Sequence, residues 1–113
     1  MKENEQDKKY IDKTLEEINL IIEYTNSKTI DELSKDKVLL DAIVFRMIQM
    51  SEHLDKISDE FKASYPNIKW MNIKGFRNRL VHDYGGVNLQ FVYNAITVDI
   101  IELKEELLRM CYL

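Results

Sequence analysis

The stretch DKVLLDAIVFRMIQMSEHLDKI (residues 36–57) repeats apolar side chains at spacings of three and four. Residues at those spacings lie on one face of an α-helix, so the pattern predicts a long amphipathic helix. Asp36 is its predicted N-cap, because a short acidic side chain can accept hydrogen bonds from the unpaired N–H groups of a first helical turn. The apolar register can be followed as far as Phe61. The predicted buried face comprises Leu39, Ala42, Ile43, Met47, Met50, Leu54 and Ile57.

The segment before this helix predicts another long helix and a short one. Apolar residues recur at helical spacing from about Tyr10 to Tyr24, whereas residues 1–8 are polar and expected to be frayed. Thr29 and Glu32 have the spacing of a capping box, in which each side chain bonds to the backbone N–H of the other residue. A short helical turn is therefore expected after Thr29.

Two more long helices are predicted after the central one. Pro66 interrupts the helical pattern because proline is poorly tolerated inside a helix, and a third long helix is expected from about Trp70. The adjacent Gly85 and Gly86 are expected to end that helix or to follow its end closely. Asn88 is a predicted N-cap for the last long helix. The apolar face of that helix comprises Val92, Ile96, Ile100, Leu103 and Leu107.

Length and composition agree with a helical fold. The chain has 113 residues with one Pro and three Gly, and 45% of its residues are hydrophobic and 32% charged. It shows no strand-like alternation and no internal repeat. Four helices with short connections predict an all-α, antiparallel bundle of four to five helices in a single domain, residues 1–113. A core of this size is modest, so oligomerisation would bury more apolar surface.

The sequence argues against secreted and membrane proteins. Cys111 is the only cysteine, so no internal disulfide can form and a reducing cytoplasm is the expected setting. Residues 1–9 are charged and lack the apolar segment of a secretory signal. Apolar runs reach only three or four residues, which is too short for a transmembrane helix. There is no P-loop, no dinucleotide fingerprint and no metal-type cluster of His and Cys.

The charges are distributed unevenly along the chain. The net charge is −4, but residues 61–82 contain no Asp or Glu and carry five basic residues. The other 11 of the 16 basic residues share the rest of the chain with all 20 acidic ones. A local positive field favours an anionic ligand more than the net charge suggests, although chance clustering is the alternative. The five basic residues are Lys62, Lys69, Lys74, Arg77 and Arg79.

The end of the third helix carries the residues best suited to chemistry, namely Arg77, His82 and Tyr84 within eight positions. Arginine is a permanent cation that grips phosphate through two hydrogen bonds, and an unperturbed imidazole titrates near pH ~6.5. Both suit RNA cleavage without a metal: a base removes the 2′-hydroxyl proton, a cation stabilises the transition state and an acid protonates the leaving oxygen. The alternative is a structural role, with the ring of Tyr84 packed in the core and its hydroxyl at the rim.

Helix geometry constrains a site built from these residues. Positions five apart lie about 140° apart around an ideal helix, so Arg77 and His82 share a face only if the helix unwinds before His82. The nearby glycines are compatible with unwinding. Tyr84, seven positions from Arg77, would return to nearly the same face on a continuing helix. Alternatively, a second subunit completes the site across a two-fold axis.

The run RNRLVHDY (residues 77–84) matches the R-x4-H-x-Y motif of HepT-like HEPN proteins. The surrounding sequence resembles that family too. A Pro-x-hydrophobic-x-Trp segment, residues 66–70, precedes the motif, and a Gly-Val pair, residues 86–87, and a long terminal helix follow it. The resemblance covers nearly the whole chain after about Tyr10.

The central helix resembles the family less closely. Glu52 falls at the acidic position of the family's I-G-E-A-like stretch, but Ser51 and His53 stand where its small residues would be. Glu52 is expected either to line the cleft or to pair with a surface lysine such as Lys56, four positions on. His53, at the edge of an apolar stripe, is expected to be a packed or solvated histidine, and Met47 to be a core or interface residue.

The resemblance implies a homodimeric helical bundle in which the two motifs face one cleft. It also implies a metal-independent ribonuclease that acts on RNA as a toxin. Members of the family are held in check by a small nucleotidyltransferase-fold antitoxin, of the MNT type, which transfers AMP to the motif tyrosine. No cofactor and no metal are implied.

The resemblance assigns roles to individual residues by their position in the motif. Arg77 and His82 are the implied catalytic pair, and Tyr84 is the implied AMPylation site. Asn78, directly after the arginine, and Glu52 are implied auxiliary residues of the site. The weaker candidates for RNA contacts are Lys74 and Arg79.

Two other functions remain open from the sequence. One is a non-catalytic HEPN module that binds nucleotides or a nucleotidyltransferase partner, and the other is a dimeric helical scaffold without activity. The binding module would use the same residues as the ribonuclease, so the sequence barely separates them. The intact pair of Arg77 and His82 and the basic stretch favour the ribonuclease.

Overall fold

The computed structural model describes residues 5–70, 73–84 and 88–111, apart from the side chains of residues 73, 74, 81–84 and 111. Every regular element within these ranges is a helix, so the predicted all-α class is confirmed. A π-helical turn, Ala95–Asp99, joins the last two helices into one long C-terminal segment. The helices are α1 (Glu5–Thr25), α2 (Ile30–Lys35), α3 (Lys37–Asp55), α4 (Asp59–Ser64), α5 (Ile73–Tyr84), α6 (Leu89–Asn94) and α7 (Ile100–Cys111).

The two longest helices, α1 and α3, run antiparallel. Asp7 at the start of α1 bonds to Ser58, just beyond the end of α3, and Glu17 in the middle of α1 bonds to Arg46 in the middle of α3. α5 packs against α3, and α7 packs against α1. No helix in the described part of the chain is long and apolar enough to cross a membrane.

The predicted apolar face of α3 is confirmed from Ile43 onward and wrong before it. Leu39 and Ala42 are only partly buried, whereas Leu40 and Val44 are buried although the simple periodicity omitted them. The difference arises because α3 is covered by α1, α2 and α5, so its buried surface is wider than one stripe. The predicted residues that are buried comprise Ile43, Met47, Met50, Leu54 and Ile57.

The first helix starts earlier than the sequence suggested. It begins at Glu5 rather than near Tyr10, so the expectation of fraying is wrong for residues 5–8. Asp7 is only 3% exposed, and its carboxylate accepts hydrogen bonds of 2.8 Å from both the backbone N–H and the hydroxyl of Ser58. These bonds are tertiary contacts between distant parts of the chain, so the local pattern of polar residues does not predict them.

Three predicted caps are confirmed. Thr29 and Glu32 form a reciprocal capping box at the start of α2, with bonds of 2.9 and 3.1 Å. Asp36 accepts a bond of 3.0 Å from the N–H of Leu39 at the start of α3. Asn88 does the same at the start of α6.

The proline segment divides the chain differently from the prediction. The apolar register that runs on to Phe61 belongs to a separate short helix, α4, and among the described residues α5 is observed from Ile73, while Trp70 itself is not helical. Trp70 lies just before α5, where its indole N–H donates to the carbonyl oxygens of Lys62 and Tyr65, each at 3.1 Å. Gly85 and Gly86, expected to end the helix, lie outside the described residues.

The predicted apolar face of the C-terminal segment is confirmed, because all five of its residues are buried. The segment is not one regular α-helix, since the N–H of Ile100 bonds to the carbonyl of Ala95 in the wider π geometry. The buried residues are Val92, Ile96, Ile100, Leu103 and Leu107.

Candidate active site

Arg77 on α5 forms an ion pair with Glu52 on α3. The guanidinium Nη1 lies 2.6 Å from the carboxylate Oε1, and both side chains remain reachable by solvent, at 42% and 38% exposure. Glu52 therefore pairs with the motif arginine rather than with Lys56, one of the partners that its spacing allowed. The fold thus brings together two residues that the sequence analysis assigned to the site and that stand 25 positions apart in the chain.

The buried side of α5 fixes which of its residues face solvent. Phe76 and Leu80 are buried, and the ring of Phe76 packs against that of Phe91 on α6 at 5.6 Å between centroids. Asn78 is exposed, on the side away from the core. With about 100° of rotation per residue, Arg77 lies at one edge of the exposed face.

Arg79 lies at the opposite edge of that face. It is exposed, and its Cζ atom is 4.0 Å from the centroid of the Phe91 ring, within the range of a cation–π contact. Asn88 caps the first turn of α6 by accepting the N–H of Phe91 at 3.0 Å, which fixes the backbone beneath the ring.

The helix does not unwind before His82. α5 continues as an α-helix through Tyr84, so positions 77 and 82 lie about 140° apart around its axis. Of the two sequence-based ways to unite Arg77 with His82, local unwinding is therefore not observed, and completion by a second subunit stays a prediction. The side chains of Lys74, His82 and Tyr84 lie outside the described residues.

His53, next to Glu52 in sequence, faces α1 instead of α5. Its Nε2 lies 3.5 Å from Oε2 of Glu17, and its ring is stacked on Tyr10 at 6.2 Å between centroids. Arg46 donates to the other oxygen of Glu17 at 3.1 Å, and this hydrogen bond is the main reason why the pKa of Arg46 is raised above its ordinary value. Of the two expected settings for His53, packed or solvated, the structure shows the packed one.

This cluster of Glu17, Arg46 and His53 was not identified from the sequence. Glu17 is buried with its carboxylate between α1 and α3. A signal was present, because Tyr10, Thr14, Glu17 and Ile21 recur at spacings of three and four, which places Glu17 within a second inward-facing stripe of α1.

A cavity of about 390 Å³ lies elsewhere, between residues 67–69 and the C-terminal segment. It includes none of the candidate site residues. Its lining carries four carboxylates against one lysine, so it is unsuited to a phosphate-bearing ligand. Among the described residues, no three His, Cys, Asp or Glu side chains form a group that could hold a metal ion. The charged lining residues are Lys69, Asp99, Glu102, Glu105 and Glu106.

Comparison with known proteins connects this geometry to a family. The model of the family described as "Ribonuclease HepT-like" matches residues 14–110. A "Gamma-glutamylcyclotransferase and putative RNase" of Methanocaldococcus jannaschii is 36% identical over 101 residues, which are 89% of this chain but only 46% of that protein. The chain thus spans about half of that relative.

Two shorter relatives match over most of their length. A "Putative RNase" of Caldanaerobacter subterraneus is 29% identical over 97 residues, which are 86% of this chain and 87% of that protein. A "Probable ribonuclease HepT" of Thermococcus cleftensis is 29% identical over 97 residues, covering 86% of this chain and 88% of that protein. No solved structure matches the chain.

Proposed function

The chain belongs to the HepT-like ribonuclease family, and on that premise we propose that it is a metal-independent endoribonuclease whose catalytic residues are Arg77 and His82. The observation that carries the proposal is the placement of Arg77. Its guanidinium, on the helix that carries the R-x4-H-x-Y motif, is solvent-reachable and is held by Glu52 on α3.

The chemistry follows from the two catalytic groups. Cleavage by the 2′-hydroxyl of RNA builds negative charge on the phosphate, and a guanidinium stabilises that charge through two-pronged hydrogen bonds. An imidazole can remove the hydroxyl proton or protonate the leaving oxygen, because its pKa is ordinarily near ~6.5. Asn78, exposed next to Arg77, supplies a further polar group for the substrate.

We propose that the working form is a two-fold homodimer in which both motifs face one cleft. Since positions 77 and 82 lie about 140° apart on α5, Arg77 of one protomer acts with His82 of its partner. The outer face of α3 supports such an assembly, because Val38 and Phe45 are 82% and 52% exposed. They stand fourteen and seven positions before Glu52, respectively, so a second copy that covers them also adjoins the Glu52–Arg77 pair.

The dimer is tested by light scattering at micromolar concentration. The expected molar mass is twice the 13.5 kDa of the chain. Phe45→Glu should shift the mass toward 13.5 kDa and reduce RNA cleavage with it. A wild-type mass near 13.5 kDa contradicts the assembly.

We further propose that the protein is a toxin restrained by an MNT-type nucleotidyltransferase antitoxin, with Tyr84 as the AMPylation site. AMP on this tyrosine adds a bulky anion beside Arg77 and blocks access of RNA to it. Tyr84→Phe should remain toxic when expressed alone, yet no longer be silenced by the partner. If Tyr84→Phe is as inactive as His82→Ala, the tyrosine is itself catalytic.

The activity is tested by RNA cleavage with purified protein in EDTA, beside His82→Ala. The wild type should cleave, and the variant should be slower by about 10²–10⁴-fold with an unchanged helical spectrum. Cleavage that disappears in EDTA, or that survives in His82→Ala, contradicts the mechanism.

The second candidate function is a binding module that does not cleave RNA. The specific observation in its favour is that Glu52 already occupies Arg77 at 2.6 Å, which offsets the charge that a phosphate would meet. A wild-type protein that binds nucleotides or a nucleotidyltransferase, cleaves no RNA and harms no host would establish this function instead.

A further inference from the structure

Arg79 is held against an aromatic ring at the solvent-facing surface. Its Cζ atom lies 4.0 Å from the centroid of the Phe91 ring, which is van der Waals distance for a guanidinium and a phenyl group. Phe91 is itself held from two sides, by the ring of Phe76 at 5.6 Å and by the Asn88 cap on its N–H. The ring covers one side of the guanidinium, and Arg79 is nevertheless exposed.

Such an arrangement matches how proteins recognise unpaired bases. Single-stranded RNA presents flat bases that stack on aromatic rings and on guanidinium planes, whereas bases inside a duplex are already stacked on each other. A guanidinium backed by a ring is pre-positioned, so little side-chain freedom is lost when a base covers its outer side.

The position of Arg79 relates it to the proposed catalytic arginine. Arg77 and Arg79 lie about 200° apart on α5, one held from α3 by Glu52 and the other from α6 by Phe91. Between them lies the exposed face with Asn78. An RNA strand that crosses this face meets Arg77 at one edge and Arg79 at the other.

We propose that Arg79, backed by Phe91, is a stacking platform for an unpaired base of the same RNA strand whose phosphate Arg77 contacts, and that it makes the protein selective for single-stranded RNA. This inference rests on the proposed ribonuclease function. It assigns Arg79 a role in substrate binding and specificity, and no part in the chemical step.

The test measures RNA binding in a His82→Ala background, where the probe stays intact. The probe is a fluorescein-labelled single-stranded oligoadenylate, followed by fluorescence anisotropy, with a duplex of the same length for comparison. Arg79→Lys keeps the charge but removes the plane, and it should weaken binding of the single strand by roughly tenfold or more while changing duplex binding little. Phe91→Leu should act in the same direction.

Lys35→Ala serves as the matched control, because it removes one exposed positive charge in α2, at the opposite end of α3 from Glu52. It should leave single-strand binding nearly unchanged. In the cleaving protein, Arg79→Lys should raise KM and leave kcat within about twofold.

Two results overturn the inference while leaving the ribonuclease in place. One is single-strand binding by Arg79→Lys equal to that of the parent. The other is weaker RNA binding by Arg79→Ala but not by Arg79→Lys, together with a slope of log binding constant against log salt concentration that is smaller by about one. That result indicates a phosphate contact instead of stacking. Absence of RNA binding by both the wild-type and the His82→Ala protein overturns the inference and the proposed function together.

Discussion

Glu52 and His53 are consecutive residues of α3, yet their side chains enter different surroundings. Glu52 reaches α5 and pairs with Arg77 where both remain well exposed to solvent. His53 reaches α1 and contacts Glu17, whose side chain is only 11% exposed and also binds Arg46. One helix thus carries an exposed ion pair on one side and a largely buried polar cluster on the other.

The two sites differ in what they contribute to stability. An exposed ion pair typically adds about 0–1 kcal/mol, so folding gains little from holding Arg77 beside Glu52. A buried carboxylate without its partners is costly, so the cluster around Glu17 fixes how α1 and α3 pack. The comparison predicts that the buried cluster contributes more to the stability of the fold than the exposed pair, whose proposed role is in the chemistry.

The largest expected effect on stability comes from breaking the buried cluster. Glu17→Ala leaves the groups of Arg46 and His53 without their shared acceptor, and it should lower the free energy of unfolding by about 1–3 kcal/mol. Thermal unfolding measures the change, at roughly 4–8 °C in Tm per kcal/mol for a chain of this size. Glu17→Gln, which keeps the shape, should lose less. A melting temperature unaffected by Glu17→Ala contradicts the structural role.

A smaller effect, on rate rather than stability, is expected from the exposed pair. Glu52→Gln keeps a neutral hydrogen-bond acceptor for Arg77 but removes the charge assistance, so kcat for RNA cleavage should fall by about fivefold. The melting temperature should hardly change. Asp41→Asn is the matched control, because Asp41 is an exposed carboxylate of the same helix. A faster Glu52→Gln enzyme would show instead that Glu52 competes with the phosphate for Arg77.

The smallest effect concerns a carboxylate that belongs to neither site. The N–H and hydroxyl of Thr29 bond to Glu32 and hold its pKa below the ordinary 4.5. Its contribution to stability is therefore complete above about pH 4.5 and is lost as the pH falls through the lowered pKa. Glu32→Gln should therefore lower Tm slightly at pH 7 and leave it unchanged well below pH 4.5, so that the variant loses less Tm on acidification. Equal acid sensitivity in both proteins contradicts the capping role.

Local signals in the sequence predicted much of this fold, because they act within a few residues. The caps at Thr29, Asp36 and Asn88 and the apolar face of the C-terminal segment follow from spacing alone. The early start of α1 could not be predicted in the same way. It depends on Asp7 bonding to Ser58, a contact between residues 51 positions apart.

The candidate site shows the same division. The motif and the acidic position were visible in the sequence, but the pairing of Glu52 with Arg77 depends on how α3 and α5 pack. The ring beneath Arg79 was likewise invisible, because Phe91 belongs to the next helix. Helix geometry identified the problem of uniting Arg77 with His82, and the unbroken α5 shows that local unwinding does not solve it.

The most direct test of the difference between the exposed and the buried ion pair compares Arg77 with Arg46. Each arginine pairs with a glutamate, at 2.6 Å for Arg77 and 3.1 Å for Arg46. The measurement is the single-turnover rate of RNA cleavage in EDTA by Arg77→Ala and Arg46→Ala, at a temperature where both are folded. Arg77→Ala should lose about 10²–10³-fold in rate with an almost unchanged Tm, whereas Arg46→Ala should cleave at nearly the wild-type rate with a lower Tm. Cleavage retained by Arg77→Ala, or lost by a folded Arg46→Ala, would contradict the division between a functional and a structural ion pair.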